Sequence, residues 1–357
     1  MPKAVEHFIH TINAAVKNKK PLYIRGGNSK YFYGGQLTSQ TYEILDVAAY
    51  SGIVNYEPSE LIVTARAGTR LSDLEAVLSE HHQMLAFEPP HFDENATLGG
   101  CIATGLSGPR RAYTGAARDF VLGVRMLDGK GDDLHFGGQV MKNVAGYDVS
   151  RLVTGAMGTL GVLLEVSLKV LPLPSMEITL GMQMTESEAI DKMHHWASKP
   201  LPISATCFYN DHLFVRLSGA ESAVHAARLK LGGEEIKQAK SFWQSIREHT
   251  HPFFHSGARL WRLSLKSSTP KLLLPGEQLL EWGGALRWLA SDENLNENTI
   301  RAQAETAGGH ATLFYGNKSS AQIFHPLTSY MMTLHKRLKQ KFDPAGIFNP
   351  GRMYPEY

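Results

Sequence analysis

Two stretches decide how this chain reads: Arg25-Gly26-Gly27-Asn28-Ser29 and, about seventy residues later, Thr97-Leu98-Gly99-Gly100-Cys101-Ile102-Ala103-Thr104-Gly105. The first follows Pro21-Leu22-Tyr23-Ile24, a short apolar run that reads as a buried strand. Gly26 and Gly27 let the backbone turn sharply and bring its N–H groups close to a ligand. The second stretch is expected to do the same from a later point in the chain. Two such loops suit a diphosphate, whose charge oriented amides can hold without a lysine. Neither loop has the Gly-x-x-x-x-Gly-Lys-Ser/Thr of a Walker A, nor the Gly-x-Gly-x-x-Gly of a Rossmann turn. The reading is therefore a dinucleotide held in some other fold.

The 357 residues favour roughly two domains with ample core. With 43% hydrophobic and 20% charged residues the composition is that of a folded globular chain. A formal net charge of +2, with no basic stripe, gives no reason to expect nucleic acid. Met1 to Lys20 has a helical apolar pattern (Val5, Phe8, Ile9, Ile12, Val16) without the features of a signal peptide. No apolar run approaches the roughly 18 residues of a membrane span. The expected location is cytoplasmic, with any inner-membrane association made through partners. Cys101 and Cys207 are the only cysteines, which fits a reducing compartment. An iron–sulfur cluster needs about four thiolates, so this chain cannot hold one by itself.

Along the chain, Leu61–Ala65 reads as a strand, and Ser72-Asp73-Leu74-Glu75 as a capping box that opens a helix through Leu78. Phe120–Leu127 and Asp132–Phe136 read as a hairpin, and Thr159–Leu171 as strand. Pro172-Leu173-Pro174 ends this pattern and marks a domain boundary. Beyond it, Met176–Met184 predicts a strand, and Thr185-Glu186-Ser187-Glu188 caps a helix through Ala197. Thr206–Tyr209 and Leu213–Leu217 form a hairpin around Asn210-Asp211-His212. Ala220–Leu231 and Glu297–Ala307 predict helices, and Arg259–Leu265 a strand. This is an α+β pattern with antiparallel strands. A helix over Tyr330–Lys341 precedes a turn-rich tail from Phe342 to Arg352.

The ordered set of motifs resembles a known family. Arg25–Ser29, Pro89-Pro90, Thr97–Gly100, Asp119-Phe120-Val121-Leu122-Gly123 and Gly158-Thr159-Leu160-Gly161-Val162 are similar to the FAD-binding domain of the vanillyl-alcohol oxidase / PCMH flavoprotein superfamily. The tail from Asp343 to Arg352 resembles that superfamily's Asp-Pro-x-Gly-x-x-Asn-Pro-Gly ending. Within it the chain resembles the E-subunit family of bacterial glycolate oxidases, through Val140–Asp148, Trp282–Leu289 and Phe348–Tyr354. The resemblance implies a two-part PCMH-type FAD-binding domain over residues 1–174, and a cap domain with an antiparallel sheet over 175–330. It also implies a C-terminal helix and tail, 331–357, that return to the FAD domain. The FAD-contacting roles carried over fall on Arg25, Gly26, Gly27, Asn28, Ser29, Pro89, Thr97, Gly99, Gly100, Thr104, Gly105, Gly161, Val162 and Asn349.

Three departures shape the functional expectation. Many relatives bond the flavin covalently through a histidine in the first loop, where this chain has Asn28, so dissociable FAD is expected. Many hydroxy-acid dehydrogenases carry a glutamate where this chain has Met157, a side chain that cannot accept the same hydrogen bond. No stretch matches the metal and substrate motif His-x-x-Gly-Asp-Gly-Asn-x-His, the nearest being Gly308-Gly309-His310-Ala311-Thr312. His251 and His255 are spaced i, i+4, but Pro252 argues against a helical metal pair. No metal site is expected. Arg259 and Arg262 flank Trp261 on a strand and would point to opposite faces.

The expected role is an FAD-binding subunit of a glycolate oxidase complex that turns glycolate into glyoxylate. By resemblance, its partners are a larger homologous FAD subunit and an iron–sulfur subunit that receives the electrons. One alternative is a stand-alone FAD-dependent 2-hydroxy-acid dehydrogenase using His310 with Arg259 or Arg262. Another is a non-catalytic scaffold paralogue, against which the intact glycine loops argue.

Overall fold

A computed structural model describes residues 2–37, 41–138, 148–316 and 322–357. Of the stretch Val140–Asp148, only Asp148 lies within the described residues.

The first helix, Lys3–Asn18, buries Val5, Phe8, Ile12 and Ala15, one face at i, i+3, i+4 spacing. Lys19, in the left-handed region, ends it. That face packs on a parallel pair of strands, Leu22–Arg25 and Glu43–Asp46, with Leu22, Leu45, Ile347 and Phe348 in the same core. The chain's tail lies alongside: the Leu22 amide donates to the Ile347 carbonyl (2.7 Å) and the Asn349 amide to the Leu22 carbonyl (3.0 Å). The tail thus extends this small sheet from the far end of the sequence.

A five-stranded antiparallel sheet follows, in the order Ile53–Glu57, Ile62–Arg66, Val162–Lys169, Val121–Leu127, Asp133–Gly137. The last two are the expected hairpin. Its turn is held by the Asp128 carboxylate, which accepts from the amides of Lys130 (2.8 Å) and Asp132 (2.9 Å). Helices Leu71–Glu80 and Leu98–Thr104 cover the sheet through Leu71, Leu74, Leu78, Leu98 and Ile102. The capping box expected at Ser72 does not form. The helix begins at Leu71, with Arg70 at the cap position and no side-chain cap bond. Its first amide instead donates to the Ala96 carbonyl (2.8 Å), so a tertiary contact replaces the local cap.

The remaining large sheet has eight antiparallel strands: Glu234–Glu235, Met176–Gln183, His212–Gly219, Ile203–Tyr209, Glu277–Glu281, Leu286–Ser291, Arg259–Ser264 and His310–Tyr315. Here the capping box at Thr185 does form. Thr185 Oγ1 accepts from the Glu188 amide (3.3 Å), and the Glu188 carboxylate accepts from the Thr185 amide (2.8 Å). The Asn210-Asp211 turn carries positive φ at both residues (49° and 56°), the backbone a two-residue hairpin requires.

A neutral network joins this sheet to the first part of the chain. Glu88 meets Arg110 (3.2 Å) and Arg216 (2.8 Å), and Glu177 meets Arg110 (2.6 Å) and Arg216 (3.7 Å). Both guanidiniums are buried. Alternating charges compensate one another's desolvation.

The helix Ser329–Phe342 fixes the tail through a buried ion pair. Lys339 Nζ donates to the Asp343 carboxylate (2.7 Å), the Phe348 carbonyl (2.7 Å) and the Thr159 carbonyl (2.8 Å). The Asp343 carboxylate in turn accepts from the amides of Ile347 (3.1 Å) and Phe348 (2.8 Å). Removing one partner leaves an uncompensated buried charge. Lys339→Met is therefore expected to destabilise the protein by about 3–5 kcal/mol, read as a lowered denaturant midpoint at unchanged slope. A loss under about 1 kcal/mol would show that the pair is dispensable.

Candidate functional site

The first glycine loop, the N-terminus of the Leu98–Thr104 helix, the turn at 157–161 and the tail border one cavity that opens to solvent. Its lining includes Arg25, Gly26, Gly27, Asn28, Ser29, Lys30, Thr97, Gly99, Gly100, Thr104, Gly158, Gly161, Asn349 and Arg352. The lining contains no Asp or Glu and no His or Cys. Backbone groups dominate the donor set. Among the described residues, the consecutive amides of Gly26, Gly27, Asn28, Ser29 and Lys30 have no protein acceptor, and those of Gly158 and Gly161 have none either. A row of unpaired N–H groups on a wall without carboxylates is a seat for an anion.

The loop is held in that shape from three sides. A Cβ on Gly27 would overlap the carbonyl oxygen of Asn95, so only glycine lets the two loops touch. Asn28 sits at φ 61°, and its side-chain oxygen accepts from the Tyr23 hydroxyl (2.7 Å). Asn349 bridges two walls, its oxygen accepting from the Ile24 amide (3.0 Å) and its Nδ2 donating to the Met157 carbonyl (2.8 Å). Arg352 donates to the carbonyls of Tyr31, Tyr33 and Gly35, which fixes the segment after the loop. Burial pulls its pKa below the usual arginine value.

The second stretch contributes differently from the first. Thr97 caps the short helix by accepting from the Gly100 amide (3.3 Å), while the Leu98 and Gly99 amides donate to the Thr69 and Ala67 carbonyls. Those amides are occupied, so the stretch supplies a close-fitting surface. A Cβ on Gly99 would lie 2.8 Å from that of Ala67. Pro89, Gly105 and Val162 are not among the lining residues. Pro89 is buried; Gly105, at φ 62°, ends the helix against Gly155; and Val162 faces the core beneath the first helix.

Sequence reasoning passed over Lys30, Tyr23 and Arg352 as site residues. Lys30 directly follows the loop, and Arg352 closes the tail motif. Both were visible as positions, but nothing local shows that they are buried. Met157 stands at φ 55°, packs into an aromatic cluster and lines the cavity. Its side chain offers no hydrogen bond of the carboxylate kind, and Asn349 secures the turn through the Met157 backbone instead.

On the face of the eight-stranded sheet that meets the first part of the chain, aromatic rings pack closely. Tyr33 lies 5.0 Å from Phe314, Phe314 4.9 Å from Trp288, and His249 stacks on Phe254 at 4.1 Å. Leu106 and Met157, next to the cavity, belong to the same cluster. The void left among Phe92, His249, Arg262, Glu281 and Trp288 has room for about one water molecule. Burial, with Arg262 adding to it, holds His249 down to about 3, so the ring is neutral. Burial raises Glu281 to about 7, against the opposing hydrogen bond from Trp288 Nε1 (2.8 Å).

Strand alternation sorts the arginines as expected. Arg262 shares the aromatic face, paired with Trp288 and Thr312 and stacked over Trp282 at 5.2 Å. Arg259 belongs to the opposite face. His310 opens the edge strand, two positions from Thr312 and on the same face as Arg262, and is exposed. Phe314 and Trp288 stand on the face between this pair and the glycine loops.

Residues 1–137 match the family described as FAD binding domain. The chain is 51% identical over 348 residues to glycolate oxidase subunit GlcE of Escherichia coli (strain K12), covering 98% of this chain and 97% of that protein. It is 27% identical over 180 residues to glycolate oxidase subunit GlcD of Bacillus subtilis (strain 168), covering 50% of this chain and 38% of that one. Among solved structures it is similar to alkyldihydroxyacetonephosphate synthase, with a TM-score of 0.67 and 14% identity, covering 97% of this chain and 74% of that one. At such identity the likeness is one of fold. The cavity's amide-rich, acid-free wall fits the diphosphate of FAD, the segment matched to the FAD-binding family supplies its first two loops, and the chain belongs to the glycolate oxidase subunit GlcE family.

Proposed function

We propose that this chain is the FAD-carrying E-type subunit of an assembly that oxidises glycolate to glyoxylate, and that substrate is handled on a larger, related FAD subunit. The observation that carries this is the 51% identity to the E. coli subunit over nearly the full length of both proteins. The shared segment with the GlcD subunit of B. subtilis supports a related flavin subunit as partner. In this reading residues 1–174 and 331–357 form the FAD unit and residues 175–330 the cap.

When bound, FAD supplies a two-electron acceptor. The free amides of residues 26–30 hold its diphosphate, and Gly158, Gly161 and Asn349 shape the far wall. The link is non-covalent in this reading, because Asn28 stands where covalent relatives carry histidine and the lining offers neither histidine nor cysteine. The packed aromatic face leaves no room for a 2-hydroxy acid beside Arg262, and neutral His249 is packed among rings. Electrons leave to an iron–sulfur partner, since two buried cysteines cannot ligate a cluster.

Three outcomes are expected. Glycolate added anaerobically to the purified, FAD-loaded chain leaves the flavin spectrum oxidised; rapid bleaching would instead establish a stand-alone dehydrogenase. Gly27→Ala forces the first loop off Asn95 and lowers bound flavin per chain at least about tenfold, with the far-ultraviolet circular dichroism unchanged. Retained flavin would mean that this loop does not hold the cofactor. Glu281→Gln tests the aromatic face. The folded-state pKa of Glu281 is raised above its unfolded value, so the wild-type chain loses stability as pH rises from about 4.5 to about 7. The variant should gain roughly 3 kcal/mol relative to wild type between pH 4.5 and 8, measured by denaturant titration. A pH-independent difference would show that Glu281 is not desolvated.

A further inference from the structure

Lys30 follows the amide run directly and lines the same cavity, with 6% of its surface exposed. Its Nζ donates to Ser29 Oγ (3.3 Å) and to the His91 carbonyl (3.2 Å), and lies 5.5 Å from the centre of the Phe92 ring. An ammonium has three donors, so one is left over. Among the described residues no carboxylate comes within 4 Å of it. Glu248 and Asp93 act on it only at longer range, and both are engaged. Glu248 accepts from the amides of His91 and Phe92 and from Arg247, and Asp93 accepts from the Asn95 amide. Cys101, the other titratable neighbour, is a buried thiol pushed up to about 12 and therefore neutral. His91 turns its ring toward Glu75 (3.2 Å).

The rest of the wall sharpens the imbalance. Arg25 is paired with Asp46 (2.6 Å). Arg352, equally buried, has its donors on carbonyls and no carboxylate partner. Burying a cation without a counter-charge is unfavourable, and folded chains avoid it unless a ligand supplies the missing charge.

We propose that Lys30 is the counter-ion of the cofactor's diphosphate, a fixed charge that the fold leaves uncompensated until FAD binds. This rests on the FAD reading of the cavity and goes beyond it, because oriented amides alone would suffice to seat a diphosphate. The desolvation that lowers the Lys30 pKa in the free chain is relieved by the incoming negative charge. Binding therefore takes up a proton once the pH exceeds the lowered value of the free chain, and FAD affinity falls as pH rises through that window.

The test compares wild type with Lys30→Met. Titration with oxidised FAD, whose ring system is neutral, should show affinity at least about tenfold weaker in the variant. The FAD-free variant should melt no lower than FAD-free wild type. Calorimetry in two buffers of different ionisation enthalpy, from neutral to about pH 9.5, should show proton uptake by wild type that is absent in the variant. Unchanged affinity with a lower melting temperature would make Lys30 a structural residue and overturn the assignment. So would a variant whose oxidised-FAD affinity is unchanged while its reduction potential shifts, since the charge would then act on the ring. If the variant fails to fold, the wild-type titration decides: FAD binding without proton uptake overturns the assignment. Wild type that binds no FAD would instead overturn the reading of the cavity.

Discussion

A run of backbone amides held away from every acceptor among the described residues is the constraint around which this structure is arranged. Residues 26–30 could satisfy their N–H groups by continuing a strand or closing a helical turn, and they do neither. Gly27 locked against Asn95, Asn28 in the left-handed region under Tyr23, and Arg352 on the segment beyond together deny the loop those alternatives. An arrangement that leaves so many donors open is unfavourable by itself, so the surroundings must over-determine it. Most of the tail's polar contacts serve that end. The Lys339–Asp343 pair anchors the tail, and Asn349 then ties the strand before the loop to the turn at Met157.

The eight-stranded sheet shows the complementary choice. A sheet face built for catalysis needs polar groups facing an open pocket, whereas this one presents packed rings. On that face burial keeps His249 neutral and raises the pKa of Glu281, while Arg262 lies over the Trp282 indole. The same antiparallel scaffold that could frame a substrate here makes a hydrophobic wall behind the flavin site. The charged Glu88–Arg110–Arg216–Glu177 network borders that wall, with Arg216 lying 5.1 Å from the centre of the Trp243 ring, and joins the sheet to the first part of the chain.

What the sequence made legible follows from how local each interaction is. The Thr185 capping box and the Asn210-Asp211 hairpin depend only on neighbours within four residues, and both were readable. The Ser72 box failed because a carbonyl from residue 96, invisible to local pattern, took the helix's first amide. Strands Glu277–Glu281 and Leu286–Ser291 went unread as strands because the second is buried at every position and the first along its last three. Neither shows the alternation that marks a half-exposed strand. The ordered glycine motifs come together on one cavity. Which of their amides are free, and that Lys30 and Arg352 are buried there, depends on contacts across sixty to three hundred residues.

The pairing of Leu22 with Ile347 and Asn349 has a consequence for how the protein is made. A nascent chain that has emerged only as far as the eight-stranded sheet carries the first glycine loop, yet lacks the strand neighbour, the Asn349 bridge and the Arg352 clamp that shape it. The site as it stands is complete only once the residues around 350 are in place, so its two ends meet late in the order of synthesis.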